Sequence, residues 1–138
     1  MNAIEATLTC SVPEAEEVVR QELGKAGFGV LTEIDVAGTL RQKLGVDRPP
    51  LKILGACNPA LALRALEADP SVSLLLPCNV VLEAAAGGTR VSAADPMSLM
   101  PGTDLEEVAS EAREKLESVM VHLAEVLGHQ QSVVSHSA

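Results

Sequence analysis

Residues 72–94 read VSLLLPCNVVLEAAAGGTRVSAA, and this stretch decides the fold class. An apolar run from Val72 to about Glu83 meets the pair Gly87-Gly88, and Thr89 to Ala94 then continues as a second short strand. A glycine pair between two such runs predicts a hairpin, because glycine adopts the positive φ that a tight β-turn needs. Strands joined by so short a turn must be antiparallel, since a parallel pair needs a crossover of a dozen residues or more. A doubly wound parallel sheet is thereby disfavoured. Pro77 cannot donate to a ladder, so it is expected at a bulge or an edge position of the first strand.

Working upstream, Pro49-Pro50 leads into a strand over Leu51–Ala56, and Asn58-Pro59 reads as an N-cap followed by proline at the first helical position. That helix should run through Ala68 and close at Asp69-Pro70. Residues 3–10 alternate as a first strand, with Ile4, Ala6 and Leu8 on one face. Ser11-Val12-Pro13-Glu14 has the form of a capping box for a helix ending at Gly27. Phe28 to Ala37 returns to period two and predicts a strand with one wet face, followed by a helical turn over Gly38–Gly45. Downstream, Asp95 to Gly102 is a loop or a single helical turn, and Thr103-Asp104-Leu105-Glu106 is a second capping box. It opens the longest helix, with Leu105, Val108, Ala109, Ala112, Leu116, Val119, Met120, Leu123 and Leu127 in one apolar stripe up to Gly128. The expected architecture is α+β: a curved, mostly antiparallel sheet with helices packed on one face, the long C-terminal helix among them. Residues 1–128 should form one domain and residues 129–138 a flexible tail.

Composition narrows the function. The chain has 138 residues, 10 Lys+Arg against 19 Asp+Glu, and a formal net charge of −9. An acidic chain repels phosphates, and Phe28 is the only aromatic residue available for stacking on a base, so nucleic acid is excluded as a partner. An anionic membrane surface is excluded on the same charge. The run Val72–Leu82 is broken by Pro77 and Asn79 and is far too short to span a bilayer. The N-terminus lacks the basic start and apolar stretch of a signal peptide, so a cytoplasmic location with reduced thiols is expected.

Cys57-Asn58-Pro59 is the most informative tripeptide. If Asn58 caps the helix, Cys57 lies where free backbone N–H groups and the helix dipole favour an anion, which activates a thiol. The competing reading is a small buried hydrophobe at a strand end. Cys78 alone reads as core packing, but the intervening strand–helix–strand segment could form a crossover that sets both thiols near one sheet edge. Two reduced thiols in proximity could exchange disulfides, carry sulfur or bind a soft metal. Lys43 and Arg41 stand among few cations and could hold an anionic ligand or neutralise a thiolate. Asp95 reads as a cap, Met97 and Met100 as gap-fillers or thioether donors, and His122, His129 and His136 as surface residues without a metal-binding pattern.

The segments Ile53-Leu54-Gly55-Ala56-Cys57-Asn58-Pro59-Ala60-Leu61-Ala62 and Leu74-Leu75-Leu76-Pro77-Cys78-Asn79-Val80-Val81 resemble the family designated domain of unknown function 302. Gly27-Phe28-Gly29-Val30, Thr39-Leu40 leading to Lys43, and Asp95-Pro96 fit the same pattern, so the likeness spans nearly the whole chain. The resemblance implies a TATA-binding-protein-like α+β fold and a homodimer, and marks Lys43, Cys57, Asn58, Pro77, Cys78 and Asp95 as positions to watch. Cys10 and the polar tail lie outside that pattern.

Three functions follow as expectations. The first is a ligand-binding or thiol-active protein using Cys57 and Cys78. The second is a purely structural or protein-interaction module. The third is a soft-metal protein that binds Cu(I) or Zn through Cys57, Cys78 and a methionine. No general base is visibly paired with either thiol, so the sequence assigns no catalysis and no cofactor.

Overall fold

Every second residue along Ala3–Leu8 (β1) is apolar and buried, Ile4, Ala6 and Leu8 sharing one face, and the sheet is assembled around that face. A computed structural model describes residues 2–100, 102–128 and 134–136. After β1 come α1 (Val12–Lys25), β2 (Gly29–Asp35), α2 (Val36–Leu44), β3 (Leu51–Cys57), α3 (Pro59–Ala68), a 3-10 turn (Pro70–Leu75), β4 (Cys78–Ala85) and β5 (Gly88–Ala94). A short α4 (Pro96–Leu99), the long α5 (Thr103–Leu127) and a brief β6 (Val134–His136) complete the chain. The sheet order is β2-β3-β4-β5-β1-β6, with every pair antiparallel. This is the expected α+β arrangement with a long C-terminal helix. The hairpin is present too: Ala85 pairs with Gly88, and Gly87 takes φ +80 in the two-residue turn between them.

Register puts buried residues in rows. Leu54 lies opposite Val80, Val80 opposite Ala93, and Ala93 opposite Ile4, so one apolar row crosses four strands. Leu82, Val91 and Ala6 form the next row. Val19 and Leu23 of α1, with Leu116, Val119, Met120 and Leu123 of α5, close over these rows to form the larger core. Burying each such side chain contributes about 1.5–3 kcal/mol, which makes this layer the main source of stability. The first half of α5 packs elsewhere. Leu105, Val108, Ala109 and Ala112 meet Leu61 and Ala65 of α3, with Val72 and Met100, in a second core beyond the end of the sheet. The far end of α5 is tied to β1, where the Thr9 N–H and hydroxyl both donate to the Leu127 carbonyl at 2.8 and 2.9 Å.

Local capping explains most boundaries. Ser11 caps α1, Asp35 caps α2 with its carboxylate accepting from the Gly38 N–H at 2.9 Å, and Asn58 caps α3. Several features depart from expectation, among them the start of α2 at Val36, where the strand was expected to run to Ala37. Residues 70–75 are a 3-10 turn and not the start of a strand. Asp69 accepts from both the N–H and the hydroxyl of Ser71, Pro70 supplies a helical φ, and Val72 is buried in the second core. These local bonds outweigh the β-forming apolar run, so Pro77 sits just before β4 and not within it; the Leu76–Pro77 peptide is cis. Helix α5 opens on Gly102 with no side-chain cap bond, so Thr103-Asp104-Leu105-Glu106 is not a capping box of the expected form. β2 is exposed on both faces, with Leu31 at 67% and Ile34 at 50% exposure, because it is an edge strand whose register slips between Val30 and Thr32. Of the tail expected at residues 129–138, only β6 lies among the described residues, paired with Ala3–Glu5 of β1.

An ion-pair network ties α1 to this edge. Lys52 contacts Glu16 at 2.7 Å and Glu33 at 2.8 Å, and Arg20 contacts the same two carboxylates at 2.9 and 2.6 Å. Burial alone would raise the Glu16 pKa, but hydrogen bonds from Lys52 and then Arg20 outweigh it and hold the carboxyl below its usual range. Hydrogen bonds to Glu16 and Glu33 raise the Lys52 ammonium above its usual range. Stability linked to a depressed carboxyl is present above its unfolded pKa and lost as pH falls through the folded value. The Lys52 share is present at neutral pH and lost only as alkali passes its raised pKa. Glu16→Gln should therefore cost about 1 kcal/mol at pH 7 in urea unfolding, and the gap to the parent protein should narrow as acid carries the pH through the depressed carboxyl pKa. An equal gap at neutral and acid pH would show that the carboxylate charge plays no part.

Candidate functional site

The antiparallel pairing of β3 with β4 decides where the motif residues go. Ala56 lies opposite Cys78, so Cys57, the last residue of β3, and Cys78, the first of β4, stand at the same end of neighbouring strands. No crossover is involved, and the two strands are interior to the sheet, so the thiols lie at the strand ends and not at a sheet edge. Gly29 opposes Cys57 from β2, and Asn79 of β4 falls opposite Ala94 of β5 by extension of their register, with Asp95 following. The pieces containing Gly27-Phe28-Gly29, Cys57-Asn58-Pro59, Leu76-Pro77-Cys78 and Asp95-Pro96 thus converge on one end of the molecule. Cys10 does not join them. It follows the other end of β1, about 20 Å away along the strands, with its thiol pKa raised by burial and then by Glu14.

Each motif residue has a defined local task. The Asn58 side-chain carbonyl accepts from the Leu61 N–H at 3.3 Å, and its amide donates to the Ala26 carbonyl at 3.4 Å. It therefore caps α3 and joins α3 to the turn after α1. Asp95 is buried; its carboxylate accepts from the Met97 N–H at 2.9 Å to cap α4 and lies 3.4 Å from Nε of Arg113 on α5. Pro77 covers Gly55: a Cβ built there would meet Pro77 Cγ at 2.9 Å and Thr32 Oγ1 at 2.1 Å, so only glycine allows this close approach. Lys43 is not part of the cluster. β2 delivers its chain to α2 at the opposite end of the sheet, and Lys43 is exposed there and lines neither cavity described below.

Two cavities flank Cys78. The outer one is a cleft of about 470 Å³ between the 3-10 turn, α4 and the sheet face turned away from α1 and α5. Leu74, Pro77, Val81 and Leu99 supply apolar walls, and Asn79 and Ser92 the polar side chains. The inner cavity, about 30 Å³, lies between the sheet end and the second core and is lined by Phe28, Ala56, Cys57, Leu61, Cys78 and Met100, among others. Cys78 and Met100 border both cavities. Burial pushes the Cys78 thiol above its usual range, and the neighbouring Cys57 adds to the rise. A thiol held protonated in this way is a poor nucleophile at neutral pH. No three His, Cys, Asp or Glu side chains cluster in metal-binding geometry among the described residues. His122 faces Glu22 across the α1–α5 contact at 3.5 Å, His129 lies outside the described residues, and Met97 borders a separate acidic groove on α5.

Sequence reasoning missed Arg113, Val81, Ser92 and Leu99. Arg113 directly follows the apolar stripe residue Ala112, which hinted at a buried-side partner. Val81 and Ser92 became site residues only through the open sheet face.

An open antiparallel sheet, two helices on one face and a motif cluster at one strand end define a small α+β domain with its candidate site at the sheet's rim. The model of the family described as domain of unknown function DUF302 matches residues 4–123, and the chain belongs to that family. A crystal structure of an uncharacterized conserved DUF302 protein from Bacillus stearothermophilus is similar, at 28% identity and a TM-score of 0.81. The match covers 88% of this chain and 97% of that one. No curated protein matches. No helix among the described residues is long and apolar enough to cross a membrane.

The Gly55 contact gives a test of the packing. Gly55→Ala should lower stability by about 1–3 kcal/mol, because Pro77 cannot rotate away as a flexible side chain would. Adding Thr32→Ala should recover only part of that loss in thermal unfolding. Full recovery would show that Thr32 alone enforces the glycine.

Proposed function

We propose that this chain is a small-ligand binding protein and that the outer cleft is its site. The observation behind this reading is a cleft of about 470 Å³ at the sheet end where the motif segments meet, with Pro77, Cys78, Asn79 and Pro96 of two of those segments in its wall. Small-molecule sites have volumes of roughly 300–1,000 Å³, with mostly apolar walls and a few polar groups that fix orientation. The lining has no charged side chain, which favours a neutral ligand that hydrogen-bonds to Asn79 or Ser92. An anionic ligand held by Lys43 has no support from this lining. The raised pKa of Cys78 favours binding over thiol nucleophilicity, and three unpaired cysteines fit a reducing, cytoplasmic location.

Nile red, a neutral solvatochromic dye, tests the cleft. Saturable one-to-one binding with a blue shift is expected. Ala94→Phe should fill the cleft and weaken that binding about tenfold or more, with the unfolding midpoint nearly unchanged. Dye fluorescence that never saturates, or that ignores Ala94→Phe, would leave the structural-module reading in place.

The homodimer implied by the family resemblance belongs to the same proposal, with the β2 edge as its surface. Leu31 and Ile34 are exposed there beside unpaired strand backbone. Light scattering on the reduced chain should give twice the monomer mass, and Leu31→Lys with Ile34→Lys should halve it. A monomer at all concentrations rejects the dimer without touching the cleft.

A further inference from the structure

We propose that the outer cleft takes a neutral amphiphile with a single hydrocarbon chain, its polar head bonded to Asn79 or Ser92 and its tail ending in the inner cavity. The inference rests on the cleft reading and adds the class of ligand. Three observations carry it. The cleft grades from polar to apolar: exposed Asn79 and half-buried Ser92 stand at its mouth, and buried Pro96 and Met100 at its inner end. The inner cavity lies directly behind that end, because Leu76, Cys78 and Met100 border both spaces and therefore form the partition between them. The inner cavity is also apolar. Phe28, Leu61, Val108 and Ala112 wall it, and Asn58, the amide in its lining, is already bonded to Leu61 and Ala26. Its volume of about 30 Å³ has room for about two water-sized groups, but the lining gives water little to bond, whereas the end of a hydrocarbon chain fills it without losing hydrogen bonds.

Length and charge define the ligand further. Ser92 lies opposite Val81, three residues from Cys78 along β4, so head and partition are about 10 Å apart, the span of roughly eight extended methylenes. With the room behind the partition, a chain of about ten carbons reaches from Ser92 into the inner cavity. Met100 is the partition residue suited to let it pass, being unbranched, with three rotatable bonds that adapt to irregular space. The head is neutral because the lining holds no charged side chain of either sign, and a charge taken out of water without a partner is costly. Asn79 and Ser92 each donate and accept, which matches a hydroxyl or an amide on the ligand.

The test is displacement of Nile red from the full chain by unbranched 1-alkanols from hexanol to decanol. Each added methylene should tighten binding about fourfold. Ala112→Leu, which fills the inner cavity from α5, should leave dye and hexanol binding unchanged and weaken decanol about tenfold. Val108→Ala enlarges the same cavity without crowding it and should carry the gain to longer chains, so the inference stays testable if Ala112→Leu fails to fold. Decanoate and decyltrimethylammonium, below their micelle concentrations, should displace the dye about tenfold less well than decanol. Affinity that ignores chain length overturns the tail assignment, as does a series that climbs equally in the parent protein and Ala112→Leu. Stronger displacement by either charged analogue overturns the neutral head. Failure here is separable from failure of the cleft: if Ala94→Phe weakens dye binding while chain length has no effect, the cleft stands and only the amphiphile is rejected.

Discussion

The register of β3 against β4 is the constraint on which the rest of this structure depends. Leu54 opposite Val80 continues an apolar row through Ala93 to Ile4, and α1 and α5 close over it. A slip of one residue would turn that row outward, at a cost of several buried side chains, so the register is strongly specified. The same register sets Ala56 opposite Cys78 and brings the two thiols to one end of the sheet. The site is a by-product of the core.

Helix α5 extends this logic past the sheet. Its second half buries the sheet, and its first half, beyond the strand ends, packs on α3 and forms the second core. The inner cavity lies where the two cores meet, bounded by Phe28 and Ala56 from one and by Leu61 and Met100 from the other. The pair of buried Asp95 with Arg113 stands at this end, whereas the Lys52–Glu16–Arg20–Glu33 network lies at the β2 edge, and Arg48 and Arg90 share Glu83 toward the hairpin end. The cleft lining itself carries no charged side chain in a strongly acidic protein, which is the ground for proposing a neutral ligand.

Much of this was legible beforehand, and the exceptions have identifiable physics. Asn58 and Asp95 could be read as caps because capping is a local bond between a side chain and a nearby backbone N–H. The hairpin followed from Gly87-Gly88 for the same reason. Residues 72–77 were misread as strand because an apolar run alone does not distinguish a strand from a buried turn, and the Asp69–Ser71 bonds settled the matter. The wet and dry faces expected of β2 depended on which neighbours covered it, and an edge strand has few. Lys43 stood near the motifs in family pattern, but the chain delivers it to the far end of the sheet.

Sequence by itself determined the α+β class, the hairpin, the apolar stripe of α5 and the family, because each rests on periodicity, turn chemistry or short motifs contained within a few dozen residues. Tertiary structure alone decided that Cys57 and Cys78 share a cavity with Met100, that Cys10 does not, and that Val81 and Ser92 line a cleft with Leu74. Those juxtapositions join residues from separate elements. They are set by strand register and helix packing, and no local pattern encodes the distance between two segments that only the core brings together.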